Sequence, residues 1–399
     1  MRVLNSLSEI NISRILRLIW LEKKISRVDI ATCLGMDKST VTKITSELSS
    51  MGIIREAEAG ESGPQGGRKP IFLELNKEFA VVGGIEINPQ NFNCSLVSIN
   101  GEIVFTYSEA INTDEYAALG LMGFFEKVFQ IIKKEAKAKK RILLGVGVGL
   151  PALIDVEQGT INQSIPLMIY EPVDFIKKAE EITKLPVFFD NDARCCCYTE
   201  KMIWRTSTTE KNMMYVLVQH RPQQPVKNSP RNISVGFGFV LNGKIYHGAN
   251  STAGEFRSML WNPTSQNQFV NGAAAIEKLS DSSVNGIFKE LAQNIAFLVN
   301  TLNLDVVYVG GIEKKASAEL LNYIREDIAY LWPYEPNKTS LVTSASVTEN
   351  VVSEGAAILV LDKIFGVPEL ADGNGIETKF YNDLTAFQWL ESKAGKESV

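Results

Sequence analysis

Residues 81–104, VVGGIEINPQNFNCSLVSINGEIV, predict a β-hairpin, because two apolar stretches flank a short turn and the second precedes the turn-forming pair Asn-Gly. The first stretch ends near an acidic residue, Glu86, as in hairpins that hold the phosphates of a nucleotide. The turn Asn88-Pro89-Gln90, however, has none of the glycines that let backbone N–H groups approach a phosphate, and Pro89 has no N–H to offer. We therefore expect the hairpin to serve as scaffold.

Strands and helices alternate around this hairpin. Strands are predicted over 80–87, 92–99 and 102–107, a helix in YAALGLMGFFEKVFQIIKKEAKA, and further strands in RILLGVGVGL and PVFFDND. The segments MMYVLVQ, NISVGFGFVLNGKIYHGA and LDVVYVGGI repeat the same order. This repetition indicates two related α/β halves around a cleft.

The first 75 residues show three helical patterns, in NISRILRLIWLEKK, SRVDIATCLG and DKSTVTKITSELSSMG, with Ser26 and Gly35 as the expected ends of the second helix. Strands expected in IIREAEA and PIFLELN are joined by the glycine-rich GESGPQGGRKP. This order predicts a winged helix-turn-helix, in which the last helix contacts bases and phosphates of DNA. The predicted DNA contacts are Lys38, Ser39, Thr40, Thr42, Lys43 and Thr45, with Arg68 and Lys69 at the wing tip. An ordinary small helical domain with a flexible loop is the alternative.

These patterns divide the chain into four predicted parts. The DNA-binding domain covers 1–76, the first half of the body 77–193, and the second half 194–352. An apolar helix at about 353–366 completes the first half. The more polar segment 367–399, with one short helix expected near DLTAFQWLES, is a C-terminal extension to which the sequence assigns no role.

Charge and composition exclude several classes of protein. The net charge is −5, but residues 1–75 carry 11 Lys/Arg against 9 Asp/Glu and are mildly basic, which is compatible with DNA binding. No apolar run approaches the roughly 18 residues of a membrane span, and the N-terminus does not resemble a signal peptide, so we expect a cytoplasmic protein without a membrane partner. Five cysteines without a CxxC pair, and two histidines, argue against disulfides and metal sites. Successive residues of a helix point about 100° apart, so Cys195, Cys196 and Cys197 are expected to be packing residues.

Six segments in this order resemble the ROK family (repressor, open reading frame, kinase): GGRKPIFLELN, GVGVGLPALID, DNDARCCCYTE, FGFVLNGKIYHGANSTAGEF, VVYVGGI and SEGAAILVL. The resemblance covers about residues 8–366. The N-terminal domain is typical of the transcriptional-repressor branch, with its xylose-repressor-like and N-acetylglucosamine-repressor-like members. The implied fold class is α/β, with a winged helix-turn-helix followed by a two-lobed, actin-like ATPase (sugar kinase) fold that holds a sugar in the cleft.

The resemblance also shows departures from kinase members of the family. Their Asp-x-Gly-Gly-Thr loop matches Glu86–Gln90 here, and their second phosphate loop, Gly-Thr-Gly, matches Asn232-Ile233-Ser234. Both substitutions remove phosphate-binding features, so we expect no kinase activity and no cofactor. The family's cysteine-rich zinc segment is replaced by MLWNPTSQNQFVN, which has no cysteine, so no metal is expected. Trp261 and Phe269 are expected to anchor this segment by packing.

The resemblance implies sugar contacts by Asn191, Asp192 and Glu255, with Pro151 in a neighbouring loop and Ser258 at the position of a family histidine. Carboxylate and amide groups suit the hydroxyls of a sugar. Two alternatives stay open: the Asn-Asp pair could merely cap the following helix, and the glutamate could be an ordinary surface residue. Arg257 is expected to face a ligand's acidic group or, alternatively, to pair with a surface acid.

Together these features predict a sugar-responsive transcriptional repressor that binds operator DNA as a homodimer or dimer of dimers. The effector would be a monosaccharide or small saccharide in the cleft between the lobes. Two alternatives are an ATP-dependent sugar kinase with a DNA-binding head, and a DNA-binding repressor whose cleft is vestigial. The sequence identifies neither the sugar nor the operator, nor whether the effector releases or promotes DNA binding.

Overall fold

The structure is a computed structural model that describes residues 7–57, 71–203, 211–220, 233–265, 267–270, 282–335, 340–345 and 350–367. Several predicted features lie outside the described residues. They are the wing tip with Arg68 and Lys69, Asn232 of the second loop, and the C-terminal extension from residue 368 onward.

The N-terminal part packs three helices against a small sheet. Its elements are α1 (Leu7–Glu22), β1 (Ile25–Ser26), α2 (Arg27–Leu34), α3 (Lys38–Ser50), β2 (Ile54–Glu56) and β3 (Phe72–Leu75). The sheet has the order β1-β3-β2, and β3 runs antiparallel to both neighbours. The Ser26 hydroxyl accepts a 3.2 Å hydrogen bond from the Asp29 N–H, and α2 ends at Gly35 with a left-handed φ of 62°. Both predicted ends of α2 are therefore confirmed.

The first half of the body is built on a five-stranded mixed sheet. Its elements are β4 (Ala80–Ile87), β5 (Asn91–Ser98), β6 (Ile103–Ala110), α4 (Thr113–Ala138), β7 (Ile142–Leu150), β8 (Leu153–Asp155), β9 (Thr160–Gln163), β10 (Val173–Asp174), α5 (Phe175–Thr183) and β11 (Val187–Asn191). The main sheet has the order β11-β7-β4-β5-β6, and β8–β10 form a separate small sheet. The predicted hairpin and the helix after it are confirmed.

The second half repeats this plan. Between the halves runs α6 (Asp192–Ile203). The second half contains β12 (Met213–His220), β13 (Ile233–Leu241), β14 (Lys244–Ile245), α7 (Ser282–Leu302), β15 (Val306–Gly310), α8 (Lys314–Leu331) and β16 (Leu341–Ser344), and α9 (Val351–Ile364) follows. Its sheet order is β14-β13-β12-β15-β16. In each half three strands pair antiparallel and two more join in parallel. The prediction of two related α/β halves is thus confirmed.

Helices α6 and α9 join the two halves. α6 follows the first sheet but packs on β12 and β13 of the second, whereas α9 follows the second sheet and packs on β4, β5 and β7 of the first. The two helices also contact each other. Gly84 of β4 and Gly147 of β7 allow α9 to lie close to the first sheet, because a Cβ at either position would overlap backbone atoms of α9, at Ser353 and Ala356 respectively.

The N-terminal helices share a hydrophobic core with the body. Ile15, Leu16 and Ile19 of α1 belong to the same buried cluster as Leu361 and Ile364 of α9. The Trp20 ring stacks on the Phe365 ring with centroids 5.4 Å apart. The Arg17 guanidinium donates to the Phe365 carbonyl at 3.2 Å. The end of α9 is therefore held against α1 by apolar and polar contacts together.

The three consecutive cysteines are packing residues, as predicted. Cys195, Cys196 and Cys197 are fully buried on α6, and burial is the main reason that the pKa of each thiol is raised. Of the helices in the described segments, none combines the length and apolar character needed to cross a bilayer.

Candidate functional site

Two adjacent cavities, which share the lining residues Leu217 and Gln219, lie between the halves. The first, here called the carboxylate pocket, has a volume of about 370 Å³ and includes Asn191, Asp192, Glu255 and Gln268 in its lining. Asn191 and Asp192 lie where β11 ends and α6 begins, and both are buried. The Ala193 N–H lies 3.0 Å from Asn191 Oδ1 and 2.8 Å from Asp192 Oδ1. The pair therefore caps α6 and also lines the cavity. Capping of the helix does not exclude a contact of the same residues with a sugar.

Glu255 lies on the opposite wall, in the loop that follows β14. The loop is held to β13 by a hydrogen bond from the Phe237 N–H to the Gly254 carbonyl, 3.0 Å, and by an antiparallel bridge between Gly236 and Glu255. Gly254 has a φ of 97°, which favours glycine. Glu255 is exposed at the mouth of this open cavity, and the surrounding walls still remove part of its hydration, which raises the pKa of its carboxyl against the opposing charge of Arg194.

A buried charge cluster behind the carboxylate pocket was not predicted. Asp190 accepts a 2.6 Å hydrogen bond from Arg194 Nε, and its other oxygen lies 2.9 Å from His247 Nε2. Burial opposes ionisation of Asp190, but Arg194 and His247 outweigh it and hold the carboxyl pKa below its usual range. Arg194 is 1% exposed and also donates to the Ala253 carbonyl at 2.9 Å. The cluster thus ties the end of β11 to the loop that carries Glu255.

Gln268 orders the same wall and was also missed. Its amide oxygen accepts from the Val235 N–H at 2.8 Å, and its nitrogen donates to the carbonyls of Val235 and Phe256 at 2.7 and 2.8 Å. Phe269 is fully buried, which confirms it as an anchor of this segment. Trp261 donates to the Asn267 carbonyl, and Arg257 stacks 4.2 Å above its ring. Arg257 also lines the carboxylate pocket, so a contact with a ligand's acidic group stays a prediction.

Two predicted sugar contacts have different outcomes. Pro151 lines the carboxylate pocket, and its carbonyl accepts a 2.7 Å hydrogen bond from Ser164 Oγ. Ser258, in contrast, is buried behind the loop, where its Oγ accepts from the Leu260 N–H and from Asn294 Nδ2. Ser258 is not among the lining residues. Its prediction as a sugar contact is therefore corrected: its hydroxyl holds the backbone of the loop.

The second cavity, here called the amide pocket, has a volume of about 680 Å³ and is lined by five amide side chains: Asn88, Gln90, Asn91, Asn93 and Gln219. The β4–β5 turn forms one wall. Asn88 Oδ1 accepts the N–H groups of both Gln90 and Asn91 at 3.0 Å. Glu86 is buried and accepts from Asn88 Nδ2 at 3.0 Å and from Asn93 Nδ2 at 2.7 Å. The turn's own side chain therefore occupies the N–H groups that a phosphate would need.

The N-terminal part exposes one face of α3. Lys38, Ser39, Thr42 and Lys43 are exposed, and Thr40 is half-buried. Thr45 is fully buried, donates to the Val41 carbonyl at 2.8 Å, and accepts from Arg27 Nε at 3.1 Å. The prediction that Thr45 contacts DNA is corrected, because this side chain belongs to the buried stripe with Val41, Ile44 and Leu48.

Asp190→Asn is expected to destabilise the protein by about 3 kcal/mol, because Arg194 would remain buried without a charge partner. Arg194→Met should then lower the free energy of unfolding much less in the Asp190→Asn variant than in the wild-type protein. Urea unfolding of the single and double variants measures this coupling. Glu102→Gln, which breaks the exposed Lys77–Glu102 pair, is the control and should cost less than about 1 kcal/mol. Additive effects at Asp190 and Arg194 would contradict the structure.

Comparison with known proteins shows similarity to the ROK family. Residues 82–267 match the model of the ROK family. A putative xylose repressor of Caldicellulosiruptor sp. strain Rt8B.4 is 29% identical over 253 residues, which is 63% of this chain and 59% of that protein. The match thus spans about three fifths of the length of this curated relative.

Two solved structures share the fold. A ROK family transcriptional regulator, described as a homologue of the E. coli MLC protein, aligns with a TM-score of 0.69 at 19% identity, covering 89% of this chain and 96% of that one. A ROK family glucokinase from Streptomyces griseus, solved with glucose and AMPPNP, aligns with a TM-score of 0.51 at 18% identity, covering 70% and 99%. The body is therefore a mixed α/β, actin-like sugar-kinase fold, and the ROK resemblance indicated by the six sequence motifs is confirmed.

Proposed function

We propose that this protein is a sugar-responsive transcriptional regulator, with repression released by the effector. The observation that carries the proposal is the placement of α9. Val351 and Val352 at its start line the amide pocket, and Phe365 at its end stacks on Trp20 of the N-terminal part. One buried helix therefore joins the cleft to α1 of the N-terminal part that is proposed to bind DNA.

The DNA-binding part of the proposal rests on element order and exposed chemistry. α2, a short turn and α3, followed by the antiparallel strands β2 and β3, are the order of a winged helix-turn-helix. The exposed face of α3 offers hydroxyl and ammonium groups that suit base edges and phosphates. We propose a homodimer on DNA, because two-fold operators match two-fold proteins.

The effector part rests on the carboxylate pocket. Asp192 and Glu255 offer carboxylate groups from two different chain segments of its lining, and Asn191 lines it beside Asp192. Hydroxyl groups of a sugar can donate to both carboxylates at once only if the walls are close together. A sugar would thus favour a closed arrangement of the halves by its differential affinity for it. The name of the Caldicellulosiruptor relative supports a pentose as one candidate.

The chemistry of the β4–β5 turn supports binding without catalysis. Phosphoryl transfer requires groups that hold and neutralise the phosphates. Here Asn88 engages the turn's N–H groups, Pro89 has none, and Glu86 places a carboxyl group at the same wall. A kinase with a DNA-binding head is the second candidate, since the fold is shared with a glucokinase.

The DNA-binding role is tested by selecting duplexes from a random library with the full chain. Lys43→Ala should weaken binding to a selected duplex and reduce the slope of log K against log salt by about one, because one phosphate neutralisation is lost. Lys137→Ala removes the same charge from the exposed end of α4 and should leave the slope unchanged. Failure to enrich any duplex would reject DNA binding.

Sugar affinity should fall as the pH is lowered toward the raised pKa of Glu255. A protonated carboxyl accepts fewer hydrogen bonds than a carboxylate, so binding is strongest above that pKa and declines below it. Calorimetric titration of xylose and glucose between pH 5 and pH 8 measures the effect. Glu255→Gln should bind more weakly at pH 8 and lose this pH dependence. If the variant keeps the wild-type dependence of affinity on pH, Glu255 does not contact the sugar.

Incubation with ATP, magnesium and each sugar that binds should yield no sugar phosphate, because the turn offers no backbone N–H groups to the phosphates. A coupled ADP-release assay and mass spectrometry of the sugar measure this. The Streptomyces griseus glucokinase with glucose is a suitable positive control. Sugar phosphate formed above the amount found without the protein would favour the kinase.

A further inference from the structure

The amide pocket and the carboxylate pocket are adjacent parts of the space between the halves. Both are lined by Leu217 and Gln219, two residues of β12 that point to the same side of the sheet. The two volumes, about 680 and about 370 Å³, make the amide pocket the larger part of the cleft. A ligand confined to the carboxylate pocket would leave most of this space to solvent.

The lining of the amide pocket suits a neutral polyhydroxylated ligand. Its side-chain polarity comes mainly from five amides, each of which can donate and accept hydrogen bonds as a sugar hydroxyl requires. Its titratable side chains are Glu86, Glu313, His220 and Tyr215, and neither Lys nor Arg occurs among the described residues that line it. A lining that offers two carboxyl groups and, among its described residues, neither Lys nor Arg disfavours a phosphate-bearing ligand.

Two of these amides are available to a ligand. Gln90 and Asn91 are half-buried at the β4–β5 turn, and their backbone N–H groups are held by Asn88. Within the described part of the chain, their side-chain amides make no hydrogen bond. Asn88 and Asn93 differ, because both are committed to Glu86 and hold the wall in place.

We propose that the amide pocket is a second saccharide subsite, so that the effector is an oligosaccharide rather than a single sugar. Its first ring lies in the carboxylate pocket, against Asp192 and Glu255. Its next ring extends along β12, past Gln219, and hydrogen-bonds Gln90 and Asn91. This inference rests on the proposed function, because it assumes a sugar in the carboxylate pocket.

The test is a calorimetric titration of the full chain with two matched series: xylose, xylobiose and xylotriose, and glucose, cellobiose and maltose. One disaccharide should bind at least about tenfold more tightly than its own monosaccharide, since the second ring adds two or more hydrogen bonds. Gln90→Ala and Asn91→Ala should each weaken that disaccharide about threefold to tenfold and leave the monosaccharide unchanged. Gln158→Ala, an exposed amide in the β8–β9 turn, is the matched control and should change neither.

The outcomes separate the inference from the proposed function. If monosaccharides bind, and longer saccharides bind no better or are insensitive to Gln90→Ala, the second subsite is wrong and the sugar-responsive regulator stands. If no saccharide of either series binds, both are overturned.

AMPPNP with magnesium should not bind. Binding of AMPPNP that is lost in Gln90→Ala would assign the pocket to a nucleotide and overturn the inference. Melting temperatures within about 2 °C of wild type show that the single variants fold.

Discussion

The contact between α6 and α9 is the interaction on which the rest of the structure depends. Each helix follows one sheet along the chain and packs on the other, so neither half can close its core alone. The approach requires small side chains on both helices: a Cβ at Gly355 of α9 would overlap the Cys195 carbonyl, and Thr199 Oγ1 donates to the Val351 carbonyl at 3.1 Å. Interiors as dense as this change conformation as units rather than by local deformation.

The same packing determines the cleft. Because α6 begins directly after β11, its attachment to the second sheet brings Asn191 and Asp192 opposite the loop of Glu255. The ion pair of Asp190 with Arg194 and its contact with His247 hold that loop from behind. α9, with 14 residues, is about 21 Å long, and it connects this region to Trp20 of α1. In the proposed regulator, a shift of one half relative to the other would act on α9, and through α9 on the N-terminal helices.

The β4–β5 turn shows how a shared scaffold can accommodate a different ligand. The strand pairing of the hairpin is complete from Val81 to Ile87, so the fold does not depend on the glycines of a phosphate loop. What differs is the acceptor of the turn's hydrogen bonds, because the N–H groups of Gln90 and Asn91 donate to Asn88 Oδ1 and not to a ligand. The surrounding amides then give the cavity the chemistry of a hydroxyl-binding site. This is the physical basis of both the proposed regulator and the proposed second subsite.

The sequence by itself determined the elements and their order, because side-chain periodicity, caps and turns act over a few residues. The hairpin, the repeated halves and the ends of α2 were predicted in this way. Thr45 also follows the helical spacing of Val41, Ile44 and Leu48, and this spacing indicates a buried residue more strongly than its hydroxyl indicates a DNA contact. Arg194 and Asp190 are only four residues apart, but Asp190 lies at the end of a strand and Arg194 on the following helix, so the spacing rule for helical pairs does not predict their contact.

Only the tertiary structure decided which distant residues meet. Asp190 and His247 are 57 residues apart, and no local pattern predicts their contact. Ser258 matched a family position, yet the path of its loop turned its hydroxyl toward Asn294 and away from the cavity. The adjacency of the two pockets likewise depends on β12, which contributes Leu217 and Gln219 to the lining of both. Contacts of this kind arise from the packing of whole sheets and helices, whose relative positions are set by the buried cores and not by any one segment.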